Sequence, residues 1–231
     1  MTVFNIQEPD QEAYTNHQRM VTAKQLQDMP IVDEGAPELV PENLPGFLIV
    51  RARRNLEAIS GYVTKESNIL DIGCRTGIYL WFLKCQGFNN LYGIEVHDES
   101  VSVAGRRGLK NVVQGDAHKL PYEDNFFSAV SCTQVVEHFH SPTVVLKEIK
   151  RVLKPDGVLW IDAPLEGVNA YNKTYNHAGH HCFWTSPEEF FDFLGTEFAP
   201  LNYQIYLYPP DANGKVWAQG MGFLCKQKGG E

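Results

Sequence analysis

Short apolar runs alternate with longer amphipathic stretches through most of this chain. Runs at 68–72, 91–95, 111–113, 126–132 and 158–161 have the length of strands buried on both faces. Between them, 77–86, 98–107 and the stretch beginning at Ser141-Pro142 space their apolar residues as helices do. In the last of these, Val145, Leu146, Ile149, Val152 and Leu153 form the inward stripe, and Lys154-Pro155-Asp156-Gly157 stops the helix. Phe47–Ser60 reads as a further helix, with Phe47, Val50, Leu56 and Ile59 on one face and Gly61 as its terminator. Alternation of this kind predicts parallel strands joined by right-handed crossovers.

The helix ends carry their own signals. Ser141 stands at a capping position ahead of Pro142, and Ser186 and Glu189 have capping-box spacing ahead of another helix. The tail changes period. Asn202–Tyr208 alternates, Val216–Cys225 returns, and a long Pro- and Gly-containing turn separates them, so a hairpin is expected. Ahead of residue 47, residues 11–28 read as a helix with Tyr14, Met20, Val21 and Leu26 inward. Pro30, Pro37, Pro41 and Pro45 make 29–46 an extended linker. The expected organisation is an N-terminal helical extension over 1–46 and one domain over 47–231, with an insertion at 163–185.

The chemistry concentrates at two strand ends. The first strand carries Asp71 and runs into the turn Gly73-Cys74-Arg75-Thr76-Gly77, after which a helix begins. Strand, glycine turn and helix in this order bring bare backbone and a helix N-terminus to the edge of the sheet, where nucleotide-like ligands bind. Glu95 ends the second strand about twenty residues later, where an acidic side chain takes both hydroxyls of a ribose.

These residues resemble the class I S-adenosylmethionine-dependent methyltransferases, of the small-molecule type with a methyltransferase domain 11/23-like pattern. The family motif, approximately (D/E)-x-G-x-G-x-G, reads here Asp71-Ile72-Gly73-Cys74-Arg75-Thr76-Gly77, with Arg75 in place of the middle glycine. The match covers about residues 47–195, and its order and spacing carry it. It implies an α/β, Rossmann-like three-layer sandwich with a seven-stranded, mostly parallel sheet whose last strand is antiparallel.

The resemblance also assigns roles. S-adenosyl-L-methionine is the implied cofactor. Asp71 orients the turn through backbone amides, Gly73 and Gly77 allow close approach, and Cys74 and Arg75 line the loop, with Arg75 near the methionine carboxylate. Glu95 takes the ribose. Asp116 accepts from the adenine amine and the Ala117 amide meets the ring. Thr133 and Gln134 line the methionine portion. Tyr92, Val96 and Leu120 are the apolar neighbours of the adenine. Glu137-His138 matches a frequent Glu-His pair after the fourth strand, with His138 a candidate general base for a hydroxyl acceptor. A structural hydrogen bond is the competing reading of His138. The family's fourth strand usually begins Phe-Asp, whereas this one has Phe127-Ser128.

The segment Tyr171–Trp184 lies over the expected acceptor pocket and reads as a polar, aromatic-rich substrate lid, with ordinary loop packing as the alternative. Its His177, His180, His181 and Cys182 match no standard zinc spacing, so no metal is assigned. His180 or His181 matches a histidine common in relatives before the Ser-Pro-Glu run, and His181 is a further catalytic candidate.

Composition narrows the function. Lys and Arg total 20 against 28 Asp and Glu, a net charge of −8, which disfavours a broad nucleic-acid surface. Arg51, Arg53 and Arg54 form the one notable basic cluster in the first half and read as a solvated helix face, with a small contact to an anionic substrate as the alternative. The five cysteines are scattered without a CxxC pair, as reduced thiols are. No run is long and apolar enough to span a bilayer, and the first residues lack a signal core, so the cytoplasm is expected.

The expected function is methyl transfer to a small-molecule acceptor at oxygen, nitrogen or carbon. A protein acceptor and a non-catalytic cofactor-binding protein are the alternatives. A nicotinamide-dependent oxidoreductase is disfavoured, because its fingerprint needs glycine where Arg75 and Ile78 stand.

Overall fold

The computed structural model describes residues 46–165, 181–182, 184–207 and 219–228. The expected helix 11–28, nearly all of the linker and most of the 163–185 insertion lie outside them. The described chain runs α1 (Gly46–Ile59), β1 (Ile69–Ile72), α2 (Ile78–Cys85), β2 (Leu91–Glu95), α3 (Asp98–Arg106), β3 (Val112–Gln114) and β4 (Phe127–Thr133). A 3-10 turn at Val136–His138 follows, then α4 (Pro142–Val152), β5 (Leu153–Leu165), α5 (Pro187–Leu194), β6 (Phe198–Leu207) and β7 (Gln219–Gln227).

Seven strands form one sheet in the order β3-β2-β1-β4-β5-β7-β6. The pairs from β3 to β5 are parallel, while β7 runs antiparallel to both β5 and β6. The strand period of two divides the core. Leu70, Ile72, Val130, Cys132, Leu159 and Ile161 pack on one face with side chains of α4 and α5. Ile69, Ala129, Val158 and Trp160 pack on the other with Ala52 and Ile59 of α1 and with side chains of α2 and α3. Three layers result. Burying one such Leu, Ile or Phe side chain contributes about 1.5–3 kcal/mol, as an upper estimate.

Four local expectations change. Gly61 does not take the left-handed conformation of a terminating glycine, and α1 ends at Ile59 with Tyr62 N–H donating back to the Ile59 carbonyl. Ser141 occupies the capping position of α4 without a side-chain hydrogen bond, so Pro142, with its preset φ, marks that start. Lys154–Gly157 do not separate helix from strand. Strand β5 begins at Leu153 opposite Phe127, and the four residues before Val158 bulge opposite Ser128. Residues 163–165, expected in the insertion, extend β5 along β7.

The start of α5 matches its sequence signal with one change. Ser186 Oγ accepts from Glu189 N–H at 3.2 Å, but the Glu189 carboxylate reaches back to Thr185, accepting from its N–H and hydroxyl. All five cysteines are free thiols.

Candidate functional site

The strand order reverses at β1, which pairs with β2 on one side and β4 on the other. Outside the carboxyl ends of the strands at such a reversal, the crossover helices diverge and leave a crevice. The turn Gly73–Gly77 lies at that point, and β2 holds it in place. The Ile94 carbonyl accepts from Gly73 and Cys74 N–H at 2.9 and 3.2 Å. Glu95, 6% exposed, accepts from Arg75 N–H at 2.9 Å through Oε2. Its Oε1 accepts from the Val96 and His97 amides at 2.9 and 3.1 Å. An ionised carboxylate offers about four acceptor positions. Glu95 therefore holds the turn and keeps capacity for a further donor.

The turn needs its glycines for two physical reasons. Gly73 and Gly77 have φ of +66° and +75°, where a side chain is strained. A Cβ on Gly73 would stand 2.6 Å from Val135 Cγ2, and one on Gly77 would stand 2.4 Å from Leu109 Cδ1. Arg75 accepts the same strain at φ +50°, with its side chain exposed. Cys74 is buried against the core, and burial pushes its thiol far up.

Asp71 does not orient the turn amides. It is opposite Ser131 in the β1–β4 register, on the face that carries α1, and accepts from Ser131 Oγ at 2.6 Å. Burial pushes its carboxyl up to about 7, against the pull of the Ser131 hydrogen bond and of Arg51. Glu95 and Asp162 push it in the same direction as burial. The Tyr79 hydroxyl, also raised by burial and by Asp71, is buried with no hydrogen-bond partner among the described residues.

The basic cluster on α1 is not a solvated face. Arg53 is exposed, but Arg51 and Arg54 turn towards the sheet. Arg51 Nη2 donates to the Thr133 carbonyl at 2.7 Å and to its hydroxyl at 3.2 Å. Arg54 Nη2 donates to Asp162 Oδ2 at 2.8 Å, with that carboxylate wholly buried. Asn55 Oδ1, one residue on, accepts from Trp160 Nε1. Asp162 Oδ1 in turn accepts from Gln134 N–H at 2.8 Å and Gln134 Nε2 at 3.1 Å. Gln134 adopts a φ of +54° in this arrangement. Thr133 and Gln134 thus stand at the crevice, fixed by α1 and β5.

Arg51, Arg54, Ser131 and Asp162 are the site residues that sequence reasoning missed. A signal existed for three of them. Arg51, Arg54 and Asn55 fall at i, i+3 and i+4, one face of a helix, while Asp162 directly follows the apolar run 158–161.

At the other end of the crevice, Asp116 is exposed and Ala117 buried. Hydrogen bonds from His118 hold the Asp116 carboxyl below its usual range. Of the three expected apolar neighbours, Val96 is 61% exposed, but Leu120 lies in the core. Tyr92 is half-buried and packs edge-on against Tyr122, Phe126 and Phe127.

Beyond β4, Glu137 is buried and His138 exposed, with His138 Nε2 3.9 Å from Glu137 Oε1. The Glu137 carbonyl accepts from His181 N–H at 2.7 Å and Cys182 N–H at 3.1 Å. The His181 and His140 rings lie 3.7 Å apart. The structure thus brings the His140 and His181 rings together, and ties His181 to the turn that carries Glu137 and His138. His177 and His180 lie outside the described residues, within which no three His, Cys, Asp or Glu side chains converge to hold a metal ion. No described helix is long and apolar enough to cross a membrane.

Residues 70–161 match the methyltransferase domain family. The chain is 34% identical over 130 residues to an uncharacterized methyltransferase of Schizosaccharomyces pombe, covering 50% of this chain and 47% of that protein. It is 32% identical over 101 residues to a ubiquinone biosynthesis O-methyltransferase of Xanthomonas oryzae pv. oryzae, covering 41% of this chain and 42% of that one. The chain therefore spans about half the length of the curated relatives it matches. Among solved structures, its fold is similar to that of the [4+2]-cyclase SpnF, with a TM-score of 0.65 at 17% identity over 98% of this chain and 100% of the other.

Proposed function

Given that residues 70–161 form a class I S-adenosylmethionine-dependent methyltransferase domain, we propose that this protein transfers a methyl group from S-adenosylmethionine to a small-molecule acceptor at oxygen, nitrogen or carbon. The observation that carries this reading is the Glu95 carboxylate. It holds the glycine turn at the strand reversal and retains acceptor capacity beside a bare backbone.

The residues present fit an adenosyl ligand. Glu95 would hold the ribose. Val96, an apolar side chain left 61% exposed next to it, would meet the adenine face. Asp116 and the Ala117 amide would meet the adenine edge. Arg51, turned inward at Thr133, rather than the exposed Arg75 expected from the sequence, would supply the cation for the methionine carboxylate. Asp71, buried nearby and pushed up to about 7 by that burial, would meet the ammonium group, whose charge would favour its ionised form.

When bound, S-adenosylmethionine supplies a methyl group already activated by the positive sulfur. The chain's own part is to position the acceptor, exclude water and receive a proton. His138, exposed at the mouth and backed by Glu137, is the group that takes the proton of a hydroxyl acceptor.

A melting experiment tests the reading. S-adenosylmethionine at about a hundred times its dissociation constant stabilises a binding fold by about 2.7 kcal/mol. For a chain of this length that is a rise of roughly 5–10 °C. NAD should give none, and Glu95→Ala should remove the rise. Absence of a shift with S-adenosylmethionine, or an equal one with NAD, would overturn the proposal.

A further inference from the structure

Among the described residues the Asp116 carboxylate has two hydrogen-bond partners, and both come from one residue. His118 N–H donates to Asp116 Oδ1 at 2.9 Å, closing a local turn, and His118 Nδ1 lies 2.6 Å from the same oxygen. A carboxylate oxygen offers only lone pairs, so in this contact Oδ1 accepts and Nδ1 carries the hydrogen. The Asp116 side chain is 69% exposed, so nothing else restricts its rotation as closely. His118 is itself fixed on its far side. Its ring meets Phe139 edge-on at 5.6 Å and 77°, and Phe139 packs against the core.

We infer that His118 is a positioning residue for cofactor specificity: its Nδ1–H locks Asp116 so that Oδ2 accepts from the exocyclic amine of adenine and disfavours the carbonyl of hypoxanthine. The inference rests on the methyltransferase reading and assigns a residue to it. Two donors to Oδ1 saturate that oxygen and leave Oδ2 as the acceptor for the ligand. A fixed carboxylate oxygen discriminates because an amine donates to it, whereas a carbonyl presents a second lone pair. A carboxylate held by the backbone N–H alone can turn away from that carbonyl and loses most of the preference.

The test uses the full chain and two ligands, S-adenosylhomocysteine and S-inosylhomocysteine, with binding followed by calorimetry. The wild-type chain should prefer the adenosyl compound by about tenfold or more, the ratio that 1.4 kcal/mol corresponds to. His118→Phe keeps a ring against Phe139 without the donor, and its preference should fall to within about threefold of unity. His118→Asn places an amide N–H where Nδ1 stood, and it should restore most of the preference. A purely packing role predicts the opposite order, with His118→Phe behaving as wild type and His118→Asn impaired. That result overturns the inference. Should His118→Phe not fold, the His118→Asn measurement decides alone: a preserved preference supports the donor role and a lost one overturns it. Failure of the underlying reading looks different, because the wild-type chain would then bind neither compound. If Asp116→Asn abolishes the preference and His118→Phe does not, only the role of His118 fails.

Discussion

Arg54 and Asp162 are 108 positions apart in the chain and 2.8 Å apart in the fold. The carboxylate is fully buried, and its second oxygen takes both the backbone and side-chain N–H groups of Gln134. One anion therefore ties α1 to β5 and to the loop beyond β4.

Asp162→Ala should destabilise the protein by about 3–5 kcal/mol, because it breaks a buried charge pair and removes the acceptor of both Gln134 N–H groups. Urea denaturation measures this. The combined Arg54→Met and Asp162→Leu variant should recover a large part of the loss, since it removes both charges together. A loss of under about 1 kcal/mol for Asp162→Ala would show that the pair is well solvated.

Asp71 gives a prediction in pH. Its folded carboxyl titrates at about 7 against 3.8 for the free group, and burial is the main cause. The folded state keeps this proton over a range where the unfolded chain has released it. The contribution to stability is thus fully present below about pH 4 and is lost as pH rises through 7. Asp71→Asn removes that dependence. Relative to wild type it should gain stability between pH 5 and 8, as followed by melting temperature. Parallel curves for the two proteins would contradict the assignment.

Gly73→Ala should cost at least about 2 kcal/mol, combining left-handed strain with a Cβ pressed on Val135. Val135→Ala in the same chain should relieve the steric part and leave the backbone part. Thermal melts of the two single variants and the double variant separate them.

His138→Ala should lower kcat for a hydroxyl acceptor by about 10²–10⁴-fold. The affinity for S-adenosylmethionine should stay unchanged. An unchanged kcat would assign the proton to another group or to solvent.

The parts of the molecule that were legible in the chain are those governed by neighbours in sequence. Apolar runs at 68–72 and 126–132 give β1 and β4 because a strand buried on both faces needs no polar alternation. The turn at Gly73 was legible because its φ of +66° suits glycine. Glu95 was legible because the length of one strand–turn–helix unit fixes its distance from that turn. The reversed assignment of Arg51 and Arg54 shows the limit. A cluster of arginines on a helix is normally solvated, and what turned this one inward was a carboxylate over a hundred residues away.

The sequence by itself determined the alternating elements, the antiparallel tail and the turn–acid pair, since each depends on periods of two, 3.6 or about twenty residues. The tertiary structure alone decided which charges are buried together. It set Asp71 against Ser131, Arg54 against Asp162 and His118 against Phe139. Burial and charge pairing depend on which strands and helices become neighbours in space, and no local period encodes that.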